Sequence, residues 1–212
     1  TGDPARRIGN EFVYQILAKE NIATLNETFA ERPDRSRRTV IASCAHCFNT
    51  IANEYPQLGG DFTVLHHTQL LADLLKQRRL VPQQPLNHNV TYHDPCYLGR
   101  HNQEFDAPRA ILNATPGARF TEMPRNSERS FCCGAGGARM WMEESIGSRI
   151  NTARTDEALA TQPDAVVTGC PFCLTMLGDG VASRAAEGAA DGVEVIDVAR
   201  LLHRSVLPGS EG

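Results

Sequence analysis

The sequence predicts an α/β fold with mainly parallel sheets, arranged as two pseudo-repeats of which the first is truncated. Three observations predict it. Short β-branched runs each lead through a turn into a helical pattern. One strand–turn–helix segment recurs later in the chain. Most cysteines fall in turns that follow predicted strands, at the edge where parallel sheets commonly bind ligands.

The elements follow in order. "RTVIAS" leads to Cys44 and then the helical "HCFNTIANEY", and "FTVL" leads to "HHTQLLADLLKQRR". "NVTYHD" leads to Cys96, "DAVVTG" to Cys170 and "FCLTMLGDG", and "VEVI" to "DVARLLHRSV". After "FCCGAGG", Met142, Ile146, Ile150 and Ala153 recur at helical spacing. That periodicity predicts a long amphipathic helix with those four residues toward the core and Glu143 and Glu144 on its wet face.

The repeat sets "TVIASCAHCFNTI" beside "AVVTGCPFCLTML", and "FTVLHHTQLLADLL" beside "VEVIDVARLLHRSV". Upstream, "TGDPARR" aligns with "CGAGGAR", pairing Thr1 with Cys133, Gly2 with Gly134 and Arg7 with Arg139. Residues 1–84 therefore read as the back part of one repeat and residues 85–212 as a complete second one. The boundary is expected near the polar "KQRRLVPQQPLNHN", and "AERPDRSRR" is expected to be a solvated loop.

Composition sets the outer limits. The 212 residues carry a net charge of −4, with 41% hydrophobic and 22% charged residues, ordinary for a globular protein. Nothing in that balance suggests a nucleic-acid partner. The longest apolar runs are broken by polar residues and are too short to span a bilayer. No signal peptide is visible. The opening "TGDPARRIGNEF" has no methionine, so we expect a piece of a longer protein.

The seven cysteines are Cys44, Cys47, Cys96, Cys132, Cys133, Cys170 and Cys173. An odd number gathered in short motifs fits metal or redox chemistry better than disulfide stapling. In the second repeat, 35 residues separate Cys96 from Cys132–Cys133, and 36 more precede Cys170-Pro-Phe-Cys173. Five thiolates brought together would repel one another, so a cationic metal centre is the natural compensation. Zinc takes four ligands, leaving one cysteine surplus. An iron–sulfur cluster with several irons offers more attachment points, and vicinal cysteines can serve two of them. Gly134, Gly136 and Gly137 would let the backbone pass close to a bulky inorganic core.

The pattern "HDPCYLGR … FCCGAGGARMW … CPFC" resembles the cysteine-rich CCG domain of iron–sulfur proteins. The type includes the B-type subunits of heterodisulfide reductases and the glycolate oxidase iron–sulfur subunit. The likeness is strongest to the C-terminal part of actinobacterial iron–sulfur-binding reductases. The resemblance implies an electron-transfer module of an oxidoreductase. It implies a 4Fe–4S cluster on Cys96, Cys132, Cys133, Cys170 and Cys173; in the heterodisulfide reductase branch this cluster is non-cubane. It also implies a second, incomplete site at Cys44 and Cys47, where Thr1 stands in place of a cysteine. A ferredoxin-like domain or subunit would exchange electrons with it, next to a flavoprotein or membrane subunit. The expected location is cytoplasmic, at the inner face of the plasma membrane if a missing N-terminal part anchors it.

Two rival classes remain at this point: a structural zinc module that mediates assembly, and a metal-free dithiol–disulfide oxidoreductase using Cys170 and Cys173. His93 reads either as a cap of the "YHDPC" turn or as a group hydrogen-bonding a cluster sulfur or relaying a proton. Asp94 is expected to accept turn amides. His46 reads as a neighbour of the first site or as exposed, and His66 and His67 read as a cap or surface feature. Arg100, Arg125, Arg129 and Arg139 flank the cysteine turns, either as ordinary surface charge or as a positive rim around an anionic centre.

Overall fold

Every strand pair among the described residues is parallel, as the alternating strand–helix pattern requires. The structure is a computed structural model that describes residues 1–31 and 38–206. Most of the loop expected in "AERPDRSRR" lies outside the described residues.

The chain opens with helices α1 (Asp3–Arg7) and α2 (Glu11–Thr28). Asn10 starts α2 by accepting the Val13 amide on its side chain at 3.1 Å. Strand β1 (Thr39–Ala42) leads to α3 (Ala45–Asn49), a short π-helical turn and a 3₁₀ turn. Strand β2 (Thr63–His66) leads to α4 (His67–Lys76). There follow β3 (His88–His93), α5 (Gly99–Asn102), α6 (Asp106–Ala114) and β4 (Ala118–Phe120). The last group is α7 (Ile150–Leu159), β5 (Ala165–Thr168), α8 (Pro171–Ala186), β6 (Glu194–Asp197) and α9 (Val198–Val206).

Strands β1 and β2 form one sheet, and β4-β3-β5-β6 form the other. The register repeats between them. Thr39 pairs with Thr63 and Ala42 with His66, while Ala165 pairs with Glu194 and Thr168 with Asp197. These are the positions that the sequence repeat aligns.

Helices cover both faces of the larger sheet. Side chains alternate along a strand, so Val90, Tyr92, Ala165 and Val167 face a core completed by Ile111 of α6, Leu201 of α9 and Leu71 of α4. Helix α4, which follows β2, thus packs over the larger sheet. Val166 faces the other way, toward Ala158 of α7, Leu177 of α8 and four of the cysteines. A third cluster, built on Tyr14, Ile22, Tyr55 and Phe62, holds α2 against the smaller sheet.

One expected element is corrected. The segment after the glycine-rich turn is not one long helix: it forms a short 3₁₀ turn (Arg139–Trp141), and α7 begins only at Ile150. Met142 and Ile146 are 47% and 92% exposed, so they form no core stripe. Gly147 precedes α7 at φ +71°, in the left-handed region that ends helical continuity. Glu144 is not on a helix face; its carboxylate accepts the Ile150 amide at 3.0 Å and so receives the N-terminus of α7. The buried face of α7 carries Asn151, Arg154, Thr155 and Ala158, a mostly polar stripe that an apolar-periodicity reading passes over.

Candidate metal centre

The parallel register brings the site together. His93, Thr168 and Asp197 are the last residues of β3, β5 and β6 and lie side by side across the sheet. Cys96 lies three residues beyond β3, and Cys170 two beyond β5. Cys170 caps the N-terminus of α8, Pro171 occupies a first-turn position that needs no amide donor, and Cys173 lies within that turn. Cys44 repeats this arrangement at the start of α3.

The loop carrying Cys132 and Cys133 turns back at Gly134, whose φ of +91° suits glycine. Its amide donates to Cys132 Sγ at 3.2 Å. A Cβ at Gly134 would meet Met176 Cε at 3.2 Å and Ile150 Cβ at 3.3 Å, so the loop packs directly onto α7 and α8.

The sulfurs form one continuous string. Cys133 Sγ lies 3.3 Å from Cys173 Sγ. Cys132 lies beside both Cys96 and Cys133, close enough for the three thiols to shift one another's pKa. Cys170 neighbours Cys173 on one side and Cys44 on the other, and Cys44 neighbours Cys47. The string ends at Thr1, whose Oγ1 is 3.6 Å from Cys47 Sγ. Thr1 thus stands to Cys47 as Cys133 stands to Cys173. Gly2, at φ +83°, matches Gly134 in the same way. The cysteines of the two repeats are contiguous, closer than a division into two separate sites suggests.

Shared hydrogen bonds split the thiols into two kinds. Cys132 is lowered to about 2 by hydrogen bonds from Cys133, Cys96 and the Gly134 amide. Cys170 is held well below the usual thiol range by Cys173, by Cys44 and by the first amides of α8. Their donors move the other way. Donation to Cys132 pushes Cys133 to about 12, donation to Cys170 pushes Cys44 to about 11, and Cys96, Cys47 and Cys173 are also raised. A cation bound here would have to displace the protons that the raised thiols hold, so metal binding at this site is coupled to proton release.

His93 is buried on the cysteine face of β3. One of its ring nitrogens, Cys133 Sγ and Cys173 Sγ lie within 4.8 Å of one another. Its Nδ1 accepts from Arg154 Nε at 3.0 Å, while its Nε2 is buried without a partner. Burial, with Arg154 beside it, lowers its pKa to about 3. His93 Nδ1 therefore serves Arg154 and does not cap the "YHDPC" turn.

Arg154 escaped the sequence reading. It is 0% exposed, and its Nη1 donates to the Arg125 carbonyl and to Glu157, each at 2.9 Å. The signal that could have found it is its spacing with Asn151, Thr155 and Ala158 on one helix face. Arg109 was also missed. It forks onto Asp94 at 2.8 and 2.9 Å, and Asp94 accepts the Ser127 amide at 2.8 Å. Asp94 thus braces distant segments rather than its own turn.

Other expected residues divide. His46 is buried, with Nδ1 2.8 Å from Asp3 Oδ2, and stacks on Tyr97. His66 is the N-cap of α4, its amide donating to Gln69 Oε1 at 2.9 Å, and both His66 and His67 are buried and not surface features; burial lowers His66 to about 3, and Thr68 Oγ1 lies 2.7 Å from its Nδ1. Arg125 lies over the Phe131 ring at 3.9 Å and pairs with Glu157, which braces the residue preceding Cys132. Arg100 is close enough to favour the Cys96 thiolate. Arg139 contacts Met142 Sδ at 3.8 Å, and Arg129 closes the 3₁₀ turn Ser127–Arg129.

Strand-end cysteines in this order, in a parallel α/β frame, define a cysteine-rich domain. Residues 90–178 match the CCG cysteine-rich domain, and the chain belongs to that family. It is 47% identical over 207 residues to the probable iron-sulfur-binding oxidoreductase FadF of Bacillus subtilis, covering 98% of this chain and 28% of that protein. It is 43% identical over 212 residues to the EtfAB:quinone oxidoreductase of Syntrophomonas wolfei, covering 97% of this chain and 28% of that one. It is 38% identical over 171 residues to one of the subunits of the dihydromethanophenazine:CoB–CoM heterodisulfide reductase of Methanosarcina barkeri, covering 79% of this chain and 40% of that relative. The chain thus spans well under half the length of these relatives.

Proposed function

We propose that this chain is an electron-transfer module of an iron–sulfur oxidoreductase, with Cys96, Cys132, Cys133, Cys170 and Cys173 holding a 4Fe–4S cluster. The observation that carries the reading is that these five cysteines, from three separate loops, are neighbours of one another, with Cys133 Sγ and Cys173 Sγ 3.3 Å apart. The donor set fits the group. It is all sulfur and mostly buried, and its five members exceed the four that zinc takes. Relatives named as iron–sulfur-binding oxidoreductase and heterodisulfide reductase support the same cofactor.

When bound, such a cluster supplies one-electron redox chemistry. The chain's own residues do the rest. Cys132 and Cys170 offer ready anionic sulfur, and the amides of Gly134 and of the α8 N-terminus favour that charge. Met176, Leu177 and Val166 keep water from the inner side. Cys44, Cys47 and Thr1 form the smaller set, with too few sulfurs for a second cluster from this chain alone. We take residues 1–84 as the back part of a first repeat and 85–212 as the second. The electron partner we infer is a ferredoxin-like domain or subunit, working with a flavoprotein or membrane subunit. Among the described residues no helix is long and apolar enough to cross a membrane. Attachment to a cytoplasmic membrane face would therefore come through another segment or subunit.

Iron, sulfide and zinc analysis of anaerobically purified protein tests this. We expect a brown protein with iron and sulfide in equal amounts. Cys133→Ser should lose or rearrange the cluster, and Cys44→Ser should leave it nearly intact. Stoichiometric zinc in a colourless protein would favour the assembly module. Metal-free protein that turns over disulfides would favour the dithiol enzyme.

A further inference from the structure

We infer that His93 is a hydrogen-bond donor to the sulfur of this site and not one of its ligands, held in that state by Arg154. The inference rests on the cluster reading above and adds a residue that sets the properties of the bound group.

Donors and acceptors decide the matter. A guanidinium has N–H groups only and cannot accept. Arg154 Nε is 3.0 Å from His93 Nδ1, so Nδ1 must present its lone pair. In the neutral ring the proton then sits on Nε2. A histidine that binds a metal normally donates its other nitrogen's proton to a carboxylate or carbonyl. Here the other nitrogen accepts instead, which leaves Nε2 with no lone pair for a metal.

That Nε2–H needs an acceptor. It is buried without a partner among the described residues, and an unmet buried donor is costly. Nδ1 being taken, Nε2 is the nitrogen free to serve the sulfurs of Cys133 and Cys173; one ring nitrogen and these two sulfurs lie within 4.8 Å of one another. The rest of the ring is fixed. His93 ends β3, and its carbonyl accepts from Thr168 Oγ1 at 3.2 Å. Arg154 is itself pinned by Glu157 and the Arg125 carbonyl. Arg154 is a positioning residue: it fixes the tautomer of His93. An N–H aimed at cluster or thiolate sulfur favours the more electron-rich, reduced state.

The test is a potentiometric titration of the anaerobic holoprotein followed by EPR, with iron and sulfide measured on each sample. His93→Leu should keep wild-type iron and sulfide, while its midpoint potential falls. We expect roughly a tenfold lower reduced-to-oxidised ratio at a fixed potential, or about 59 mV for one electron. His93→Gln, which restores an N–H, should recover most of the shift. If His93→Leu does not accumulate, Arg154→Met answers the same question, since the proton can then move to Nδ1 and the potential should again fall. Loss of iron from both His93 variants would make His93 a ligand and overturn the inference. Full iron with an unmoved potential would overturn it too. A wild-type protein without iron and sulfide would instead sink the cluster reading beneath it.

Discussion

Two glycines on one helix offer a controlled test of how tightly α7 and α8 hold the cysteine loops. Gly178 and Gly180 both lie inside α8, so an alanine at either gains the same helix propensity, about 1 kcal/mol. Their surroundings differ. A Cβ at Gly178 meets nothing within 4 Å, whereas one at Gly180 would clash with Thr155 Oγ1 and stand 3.1 Å from Thr155 Cβ and 3.3 Å from the Asn151 carbonyl. Overpacking of a well-filled contact costs about 1–3 kcal/mol. Gly178→Ala should therefore stabilise by about 0.5–1 kcal/mol, and Gly180→Ala should destabilise by about 0–2 kcal/mol net. Thr155 neighbours Arg154 on α7, so the strained contact lies beside the residue that orients His93. Adding Thr155→Ala to Gly180→Ala removes the clash with Thr155 Oγ1 and should recover part of the loss. Urea unfolding of the single and double variants measures these differences. If Gly180→Ala stabilised as much as Gly178→Ala, the close α7–α8 approach would be wrong.

Three further outcomes follow from the packing and charge pairs. Arg109→Met leaves Asp94 buried beside Tyr92 with its guanidinium partner gone, and should cost about 3–5 kcal/mol in urea unfolding. Leu177→Ala opens a cavity under the cysteine loops and should cost about 2–5 kcal/mol, read in the same way. Glu157 yields the pH dependence. Burial alone would raise its pKa, but hydrogen bonds from Arg125 and Arg154 outweigh it and hold the carboxyl below its ordinary 4.5. A depressed folded-state value gives stability that is present above the unfolded pKa and lost as pH falls through the folded one. Wild type should thus lose more stability than Glu157→Gln between about pH 6 and pH 3, on the order of the drop expected for one paired carboxylate. Parallel curves would contradict the pairing.

The fold was legible because its signals are local. "TVIA", "TVLH" and "AVVT" are β-branched runs, each closed by a turn, and each forms a strand in a parallel pair. The repeat was legible to the level of single residues, as Thr1 against Cys47 and Cys133 against Cys173 demonstrate. What the sequence hid was polar burial. Helix α7 turns Asn151, Arg154 and Thr155 inward, so an apolar stripe pointed to Met142 and Ile146, which face solvent. Arginine is almost never fully buried unless paired; Glu157, three residues on, is the local partner of Arg154, but its other two partners come from β3 and from the loop before Phe131, far away in sequence. The same distance hid the fork between Arg109 and Asp94. His66 and His67 read as a cap or surface feature; the cap was legible at the strand-to-helix turn, but their burial was not, because nothing local says that α4 folds over the larger sheet.

Five sulfurs enclosing one inorganic core are the central claim. Anomalous diffraction at the iron edge, from crystals of the anaerobic protein, tests it most directly. The predicted result is a compact group of iron peaks bounded by Cys96, Cys132, Cys133, Cys170 and Cys173. Iron absent from that position, or iron lying only between Cys44 and Cys47, would contradict it.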